Sequence, residues 1–482
     1  RNMSVGIHEF GGYVPIQRLK RKAIADANAW FNPALRALGK GERSICNWDE
    51  DSVTMAVEAA RDALGGTGSG SIDAVYFAST TLPFQDRQNA GIIAEALHLG
   101  SELLTMDVAG SQRAGTTALT AALKAAASGD RIIVAASEKR RTKAASPIEL
   151  TAGDAAGALV IAEGDGAAKL LGQATHAVDF VDHYRGQDEA FDYFWEERWI
   201  RDEGYNKIVP TAVNSALANA GIGAADVNHF IFPVAAGRVA GGLAKKLGIP
   251  DAAVRDNLQG TVGEAGSAHS IVMLVQALEE AKRGDIILVT SFGQGCDALI
   301  FGVTDAVNDA KPAAGISGSI KRRREEENYN RFLGINNLVN MEHGLRAEVD
   351  KQTGMTTLFR NKDMILSLVG GKCSACGTLQ YPKSNVCANP NCGAVGTQDD
   401  QPFADMPAKL NSFTADSLTF SPDPPAYYGM VQFEDGGRGM LDLTDIDPNS
   451  DLEVGQSLRM VFRIKEFDTK RGFRRYFWKA TP

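Results

Sequence analysis

No stretch of the 482 residues reaches about 18 consecutive apolar positions, so a membrane-spanning helix is excluded. Basic residues do not predominate: 50 Lys and Arg stand against 59 Asp and Glu, and the formal net charge of −9 opposes non-specific adhesion to nucleic acid or to an anionic membrane surface. Any cationic site must be local. Cysteine is scarce. Only six occur, and four fall between Cys373 and Cys392, which argues against a dispersed disulfide framework and for a metal site. Phosphate-cradling nucleotide motifs are missing too: Gly65-Gly66-Thr67-Gly68 lacks a following Lys-Ser/Thr, and no Gly-x-Gly-x-x-Gly opens a helix after a strand. From Met3 the chain passes directly into strand-like sequence with no signal-peptide hydrophobic region, so a cytoplasmic protein is expected. What remains, 44% apolar and 23% charged, is a globular composition on a chain too long for one core.

Residues 4–305 alternate short β-branched runs with Ala-rich stretches, the pattern of a layered α/β fold. Two passages look like copies. Ala59 to Leu64 leads through glycines to Asp73 to Ala78, and Ala212 to Leu217 leads likewise to Asp226 to Phe232. The next unit repeats as well: Ala121 to Ala125 before Gly129 to Val134 matches Gln276 to Ala281 before Gly284 to Val289. Asp226 follows Asp73 by 153 residues and Asp285 follows Asp130 by 155, so one fold of about 150 residues is duplicated, with halves at about 4–165 and 205–305. A ligand site is expected where the halves meet. Residues 311–368 read as a linker, beginning with the flexible Lys311 to Gly318 and a charged helix start over Lys321 to Glu327. The cysteine cluster occupies 369–393. From 394 to 482, short alternating runs split by Pro422-Asp423-Pro424-Pro425, Asp435-Gly436-Gly437 and Arg471-Gly472 predict a small all-β barrel.

Cys373 and Cys376 are separated by two residues and Cys387 and Cys392 by four, with ten between the pairs. Two close pairs across a short loop can converge tetrahedrally on zinc, and Gly377 and Gly393 supply the backbone freedom that knuckle turns require. Disulfides and a redox Cys-x-x-Cys are the alternatives. Four cysteine ligands leave no open position for water, so the zinc is expected to be structural.

Gly12-Tyr13-Val14-Pro15, the run from Asp49 to Ala60, Ala114 to Leu119, Gly153 to Ala158 and Ser291 to Gly295 together resemble the thiolase superfamily. The branch most similar is 3-hydroxy-3-methylglutaryl-CoA synthase, with the initiating ketoacyl-carrier-protein synthases as cousins. The resemblance covers roughly residues 4–345 and places a thiolase-like domain at 4–310. Residues 369–482 resemble the zinc-ribbon/OB-fold companions of acyl-CoA thiolases and synthases, here on the same chain. The resemblance implies a duplicated α/β/α/β/α fold followed by a zinc ribbon and an OB-type barrel. It also implies a CoA thioester as substrate, a homodimer, and a separate thiolase as a possible further subunit.

Family members form a carbon–carbon bond with a Cys nucleophile, a His, an Asn or acidic group and a general acid/base Glu. Here Gln112 stands at the nucleophile position, Pro233 at that of the His, Glu264 at that of the Asn or Asp, and Thr80 at that of the Glu. All four roles are altered. A Glu264–His269 pair around Gly266 and Ser267 could supply a base and a donor, or could be a capping carboxylate and a packed imidazole. Ser111 reads as a turn hydroxyl, and Cys296 and Cys46 as buried small residues. For the CoA phosphates the candidate cations are Arg113, Arg238, Lys245 and Lys246; the denser Lys139, Arg140, Arg141 and Lys143 read as a solvated loop. Two functions stay open: an enzyme making or breaking a carbon–carbon bond in an acyl-CoA with Gln112, Glu264 and His269, or a non-catalytic subunit that channels a CoA ester from a separate thiolase.

Overall fold

The β-branched runs become the strands of one nine-stranded sheet in the computed structural model, which describes residues 4–65 and 71–482. Met3 and Gly66-Thr67-Gly68 lie outside the described residues. In spatial order the strands are His229–Ile231, Ile286–Phe292, Gly295–Val303, Ala168–Ala177, Val5–Tyr13, Ala155–Glu163, Ile132–Glu138, Ala74–Ala78 and Leu104–Val108. The duplication shows in the register. Ala74 pairs with Ile132 in parallel and His229 pairs with Ile287 in parallel, each partner advanced by the same 155 residues. Each parallel pair then continues into an antiparallel neighbour, Ala155–Glu163 in one half and Gly295–Val303 in the other. Among the described residues the large sheet joins the halves through Gly6 with Lys169 and Ile7 with Ala168.

Period-two alternation sends successive strand residues to opposite layers. Ile287 and Val289 join a core built around helices Ala114–Ala126 and His269–Glu280, together with Ala74, Tyr76, Ile132 and Val134 of the first half. Leu288 faces the other way, into a second core with helices Val209–Ala220 and Val239–Leu247. Helix His269–Glu280 is buried on nearly every side, as a helix enclosed between sheet layers must be. On the first half's outer face lies helix Ser52–Leu64, begun by a capping box in which Asp51 and Thr54 exchange side-chain and backbone hydrogen bonds.

The segment expected as a linker, 311–368, carries structure and divides at residue 333. Helix Gly315–Lys321 buries Ile316 in the first unit's core, and its two leading amides are taken up by the carboxylates of Asp62 and Glu279. The charged stretch is a strand, Arg324–Glu326, and not the expected helix start. It pairs in parallel with Gln17–Lys20, and Lys20 bonds to Glu325 and Glu327 while Arg323 bonds to Glu42, so charge pairing across strands outweighs local helix propensity.

The second unit comprises residues 48–50, 92–100 and 334–482. Strands Leu379–Gln380, Val369–Cys373 and Gln398–Pro402 form a small sheet beside the cysteines. The barrel strands run Arg438–Asp442, Ala426–Phe433, Ala408–Asp416, Ser457–Asp468 and Phe473–Thr481, and a bridge between Leu443 and Ala480 brings the first edge to the last. Buried Arg463 lies 3.0 Å from Asp49, 2.7 Å from Asp445 and 3.6 Å from Glu50, and Lys479 lies 3.0 Å from Asp49. Among the described residues no helix is long and apolar enough to cross a membrane.

Candidate active site and metal centre

Strand Leu104–Val108 ends in a tight loop that delivers Gln112 just before helix Ala114–Ala126. Ser111 fixes that loop by donating to the Gly293 carbonyl at 2.9 Å and accepting from the Arg113 amide at 3.2 Å. It is a turn hydroxyl, as expected. The loop from the second half that carries Glu264 approaches from the other side. Gly266, at φ +51°, allows the contact, because a Cβ there would stand 2.3 Å from Arg140 Nη1 and 2.8 Å from Gln112 Oε1. Both halves therefore contribute to the site.

The Gln112 carboxamide is held at both ends. Arg140 Nη1 donates to its Oε1 at 3.3 Å, which leaves Nε2 as the donor towards His183 Nε2 at 3.1 Å. His183 Nε2 is then the unprotonated nitrogen, and its protonated Nδ1 lies 3.1 Å from Asp182 Oδ1, although not aligned as a hydrogen bond. Arg140 also donates to Asp192 at 3.3 Å, and Asp192 in turn pairs with Arg185 at 2.7 Å. Arg140 is buried, which corrects its reading as part of a solvated loop. Burial alone would lower its pKa, yet Glu264, Asp192, Glu138 and Asp154 together raise it above the ordinary value, so the guanidinium is a fixed positive charge.

Glu264 is half-buried, and among the described contacts no hydrogen bond reaches its carboxylate; its backbone is pinned to Thr151 and Gly153. Nearby Tyr205 stays a neutral phenol, because burial and the Glu264 charge both push its pKa up. His269 does not pair with Glu264 as a donor. Its Nδ1 accepts from the Ala265 amide at 3.0 Å and its Nε2 donates to the Asn257 carbonyl at 2.8 Å, so both ring nitrogens serve the backbone that positions the Glu264 loop. Burial lowers its pKa and keeps it neutral. Thr80 donates its amide at 2.7 Å and its hydroxyl at 2.8 Å to Glu138, a buried carboxylate that also accepts from Ser267 at 2.5 Å and Thr81 at 2.6 Å. That carboxylate is a strut between the two halves' loops.

The expected phosphate cations do not converge. Arg113 turns inward, 2.8 Å from the Gly293 carbonyl and 3.1 Å from buried Asp297, because Asp297 would otherwise lie uncompensated beneath the helix start. Arg238 caps the start of helix Val239–Leu247 in left-handed conformation, while Lys245 and Lys246 lie in its last turn and Lys246 donates to the Asn206 carbonyl at 2.6 Å. Arg238 and Lys245 remain exposed at opposite ends of that helix. Cys296 and Cys46 are buried, and burial pushes the Cys296 thiol well up, away from a nucleophile's range.

The sulfurs of Cys373, Cys376, Cys387 and Cys392 all lie within 4.8 Å of one another. Cys373 and Cys392 are 4.0 Å apart and Cys376 and Cys387 3.6 Å, spacings that bracket the roughly 3.8 Å edge of a tetrahedron with zinc–sulfur bonds of about 2.3 Å. Gly377 and Gly393 adopt the left-handed turns expected of the knuckles. Hydrogen bonding with Thr378 brings the Cys376 thiol down to about 6, while at Cys387 and Cys392 the backbone hydrogen bonds are outweighed by burial and the neighbouring sulfurs, which raise both.

A family described as the C-terminal part of 3-oxoacyl-[acyl-carrier-protein] synthase III matches residues 217–301. The ChsH2 rubredoxin-like zinc ribbon matches 366–395, and the ChsH2 C-terminal OB-fold domain matches 402–463. A hydroxymethylglutaryl-CoA synthase of Aeropyrum pernix is 32% identical over 69% of this chain and 94% of its own length. Among solved structures, an HMG-CoA synthase complexed with CoA superposes with a TM-score of 0.59 at 16% identity, over 83% of this chain and 100% of that one. PksG, an HMG-CoA synthase from Bacillus subtilis, gives 0.60 at 15% identity, over 72% and 95%. At those identities the structural likeness concerns the fold.

Proposed function

The chain belongs to the hydroxymethylglutaryl-CoA synthase family of the thiolase superfamily, and from that premise we propose that it makes or breaks a carbon–carbon bond at the α-carbon of an acyl-CoA without a covalent acyl-enzyme. The observation that carries this reading is the Gln112 carboxamide, clamped between Arg140 and His183 at the position of the nucleophile, with the Glu264 carboxylate close enough to act on the Arg140 charge and no hydrogen bond reaching that carboxylate among the described contacts. An amide cannot accept the acyl group, but its second N–H can donate to the oxygen of a thioester enolate. Arg140 on Oε1 polarises that N–H, and His183 orients it from the other side.

In the forward direction Glu264 takes the α-proton, the C–H electrons pass to the thioester oxygen, and the enolate carbon bonds to the carbonyl of a second substrate. The resulting alkoxide recovers the proton from Glu264. The ribbon cysteines hold one zinc that stabilises their fold and takes no part in this chemistry. Association as a homodimer, with a separate thiolase as supplier or acceptor of the CoA ester, belongs to the same proposal. It is supported by the substituted nucleophile and by the ribbon and barrel that accompany the synthase-like unit.

Exchange of α-deuterium from labelled acyl-CoA into water, followed by mass spectrometry, tests the reading. Wild type is expected to wash out the label, and Glu264→Gln to slow that by about 10²- to 10⁴-fold, the usual worth of a positioned base. Exchange at the buffer rate with wild type, across acetyl-, acetoacetyl- and longer acyl-CoAs, would leave the non-catalytic channelling subunit as the better account.

A further inference from the structure

Resting on that reading of the acyl-CoA site, we infer that the acyl group is an uncharged hydrocarbon chain, received in an aromatic cleft beside His183. The cleft encloses about 220 Å³. Its walls are Val181 and four rings, Tyr184, Tyr193, Trp195 and Trp199, and its polar lining is Asp182 and His183. His183 is the residue that holds Gln112, so one side chain belongs to both the reacting end and the cleft. The wall continues inward: Trp199 stacks on Phe180 at 4.2 Å, Phe180 meets Phe292 edge-on at 5.8 Å, and Gly293, next in the chain, fixes the Gln112 loop through its carbonyl.

The charge pattern selects against an acid-ended acyl group. Among the described residues no Lys or Arg lines the cleft, and the adjacent guanidinium groups of Arg140 and Arg185 are already paired with Asp192. A terminal carboxylate would face Asp182 with no cation to offset it. Large rings nevertheless stand in water there, Trp195 being 60% exposed and Tyr184 and Tyr193 each 55%. An apolar chain covers such rings, and each methylene removed from water strengthens binding by up to about fourfold.

Titration calorimetry on the full chain with CoA, acetyl-CoA, glutaryl-CoA and octanoyl-CoA tests this without requiring turnover. Octanoyl-CoA is expected to bind at least tenfold more tightly than acetyl-CoA or glutaryl-CoA. Trp195→Ala, and independently Tyr193→Ala, should remove that margin while leaving the affinity for CoA itself unchanged; both rings are largely exposed, so folding is not at stake. Equal affinity for the three thioesters, preference for glutaryl-CoA, or a margin that survives in both variants overturns the inference while the acyl-CoA reading stands. Failure of every ligand to bind, CoA included, overturns that reading and this inference with it.

Discussion

Cys376→Ser is expected to abolish the fold of the ribbon while leaving the synthase-like unit intact. The ribbon's own sheet is small: Leu379–Gln380 is a two-residue strand, and Val369–Cys373 and Gln398–Pro402 have five residues each. Such a module cannot bury enough apolar surface to hold itself together. Structural zinc contributes on the order of 10 kcal/mol to modules of this size, more than any other single interaction available to the ribbon. Metal analysis of the purified chain should give one zinc. Limited proteolysis should then cut Cys376→Ser, or protein stripped by a chelator, within residues 369–402. A metal-free wild type, or a variant as resistant as wild type, would show that the four sulfurs are not a zinc site.

The second large effect is expected at Arg463. Its guanidinium, 1% exposed, balances Asp49, Asp445 and Glu50, all buried, and Arg463→Leu would remove that cation from the interior. Breaking a buried network from one side costs about 3–5 kcal/mol, because the remaining charges keep their desolvation penalty. Thermal melting of the second unit should register it as a lowered midpoint, and an unchanged midpoint would show that the network contributes little. The same network gives a pH signature. Burial raises the Asp49 pKa, but Lys479, Arg463 and the Thr444 hydroxyl overcome this and hold it at about 2, below the ordinary 3.8. A depressed folded-state pKa means that the unfolded chain binds the proton more readily. The associated stability, about 2 kcal/mol, is therefore fully present above pH 4 and is lost as the pH falls through about 2.

The four-cysteine cluster was legible because its signal is local: two close cysteine pairs with following glycines bring the sulfurs together whatever surrounds them. The duplicated halves were legible for a similar reason, since the near-equal sequence offsets of 153 and 155 residues become one offset of 155 in the matched strand registers. Gln112 and Glu264 were placed by the short motifs around them. His183 was not, because its strand, His183–Tyr184, is only two residues long and carries no periodicity. The adjacent Asp182-His183 was the one available signal. For His269 the sequence left two readings open, because proximity to Glu264 in sequence says nothing about where the ring turns; the hydrogen bonds favour the packed imidazole, with both nitrogens engaged by backbone. Arg113 and Arg140 both depart from their expected roles, one drawn inward by Asp297 and the other by Asp192 and Glu264, partners distant in sequence.

The claim that Gln112 closes the acyl-enzyme route is tested most directly by intact-mass measurement after incubation with acetyl-CoA. Wild type is expected to gain no mass, since an amide is no nucleophile. Gln112→Cys is expected to gain one acetyl group, because it puts a thiol on the loop position whose present side chain reaches towards His183. An acetyl adduct on wild type, mapped to Ser111 or Cys296, would contradict the account, as would a Gln112→Cys protein that remains unmodified.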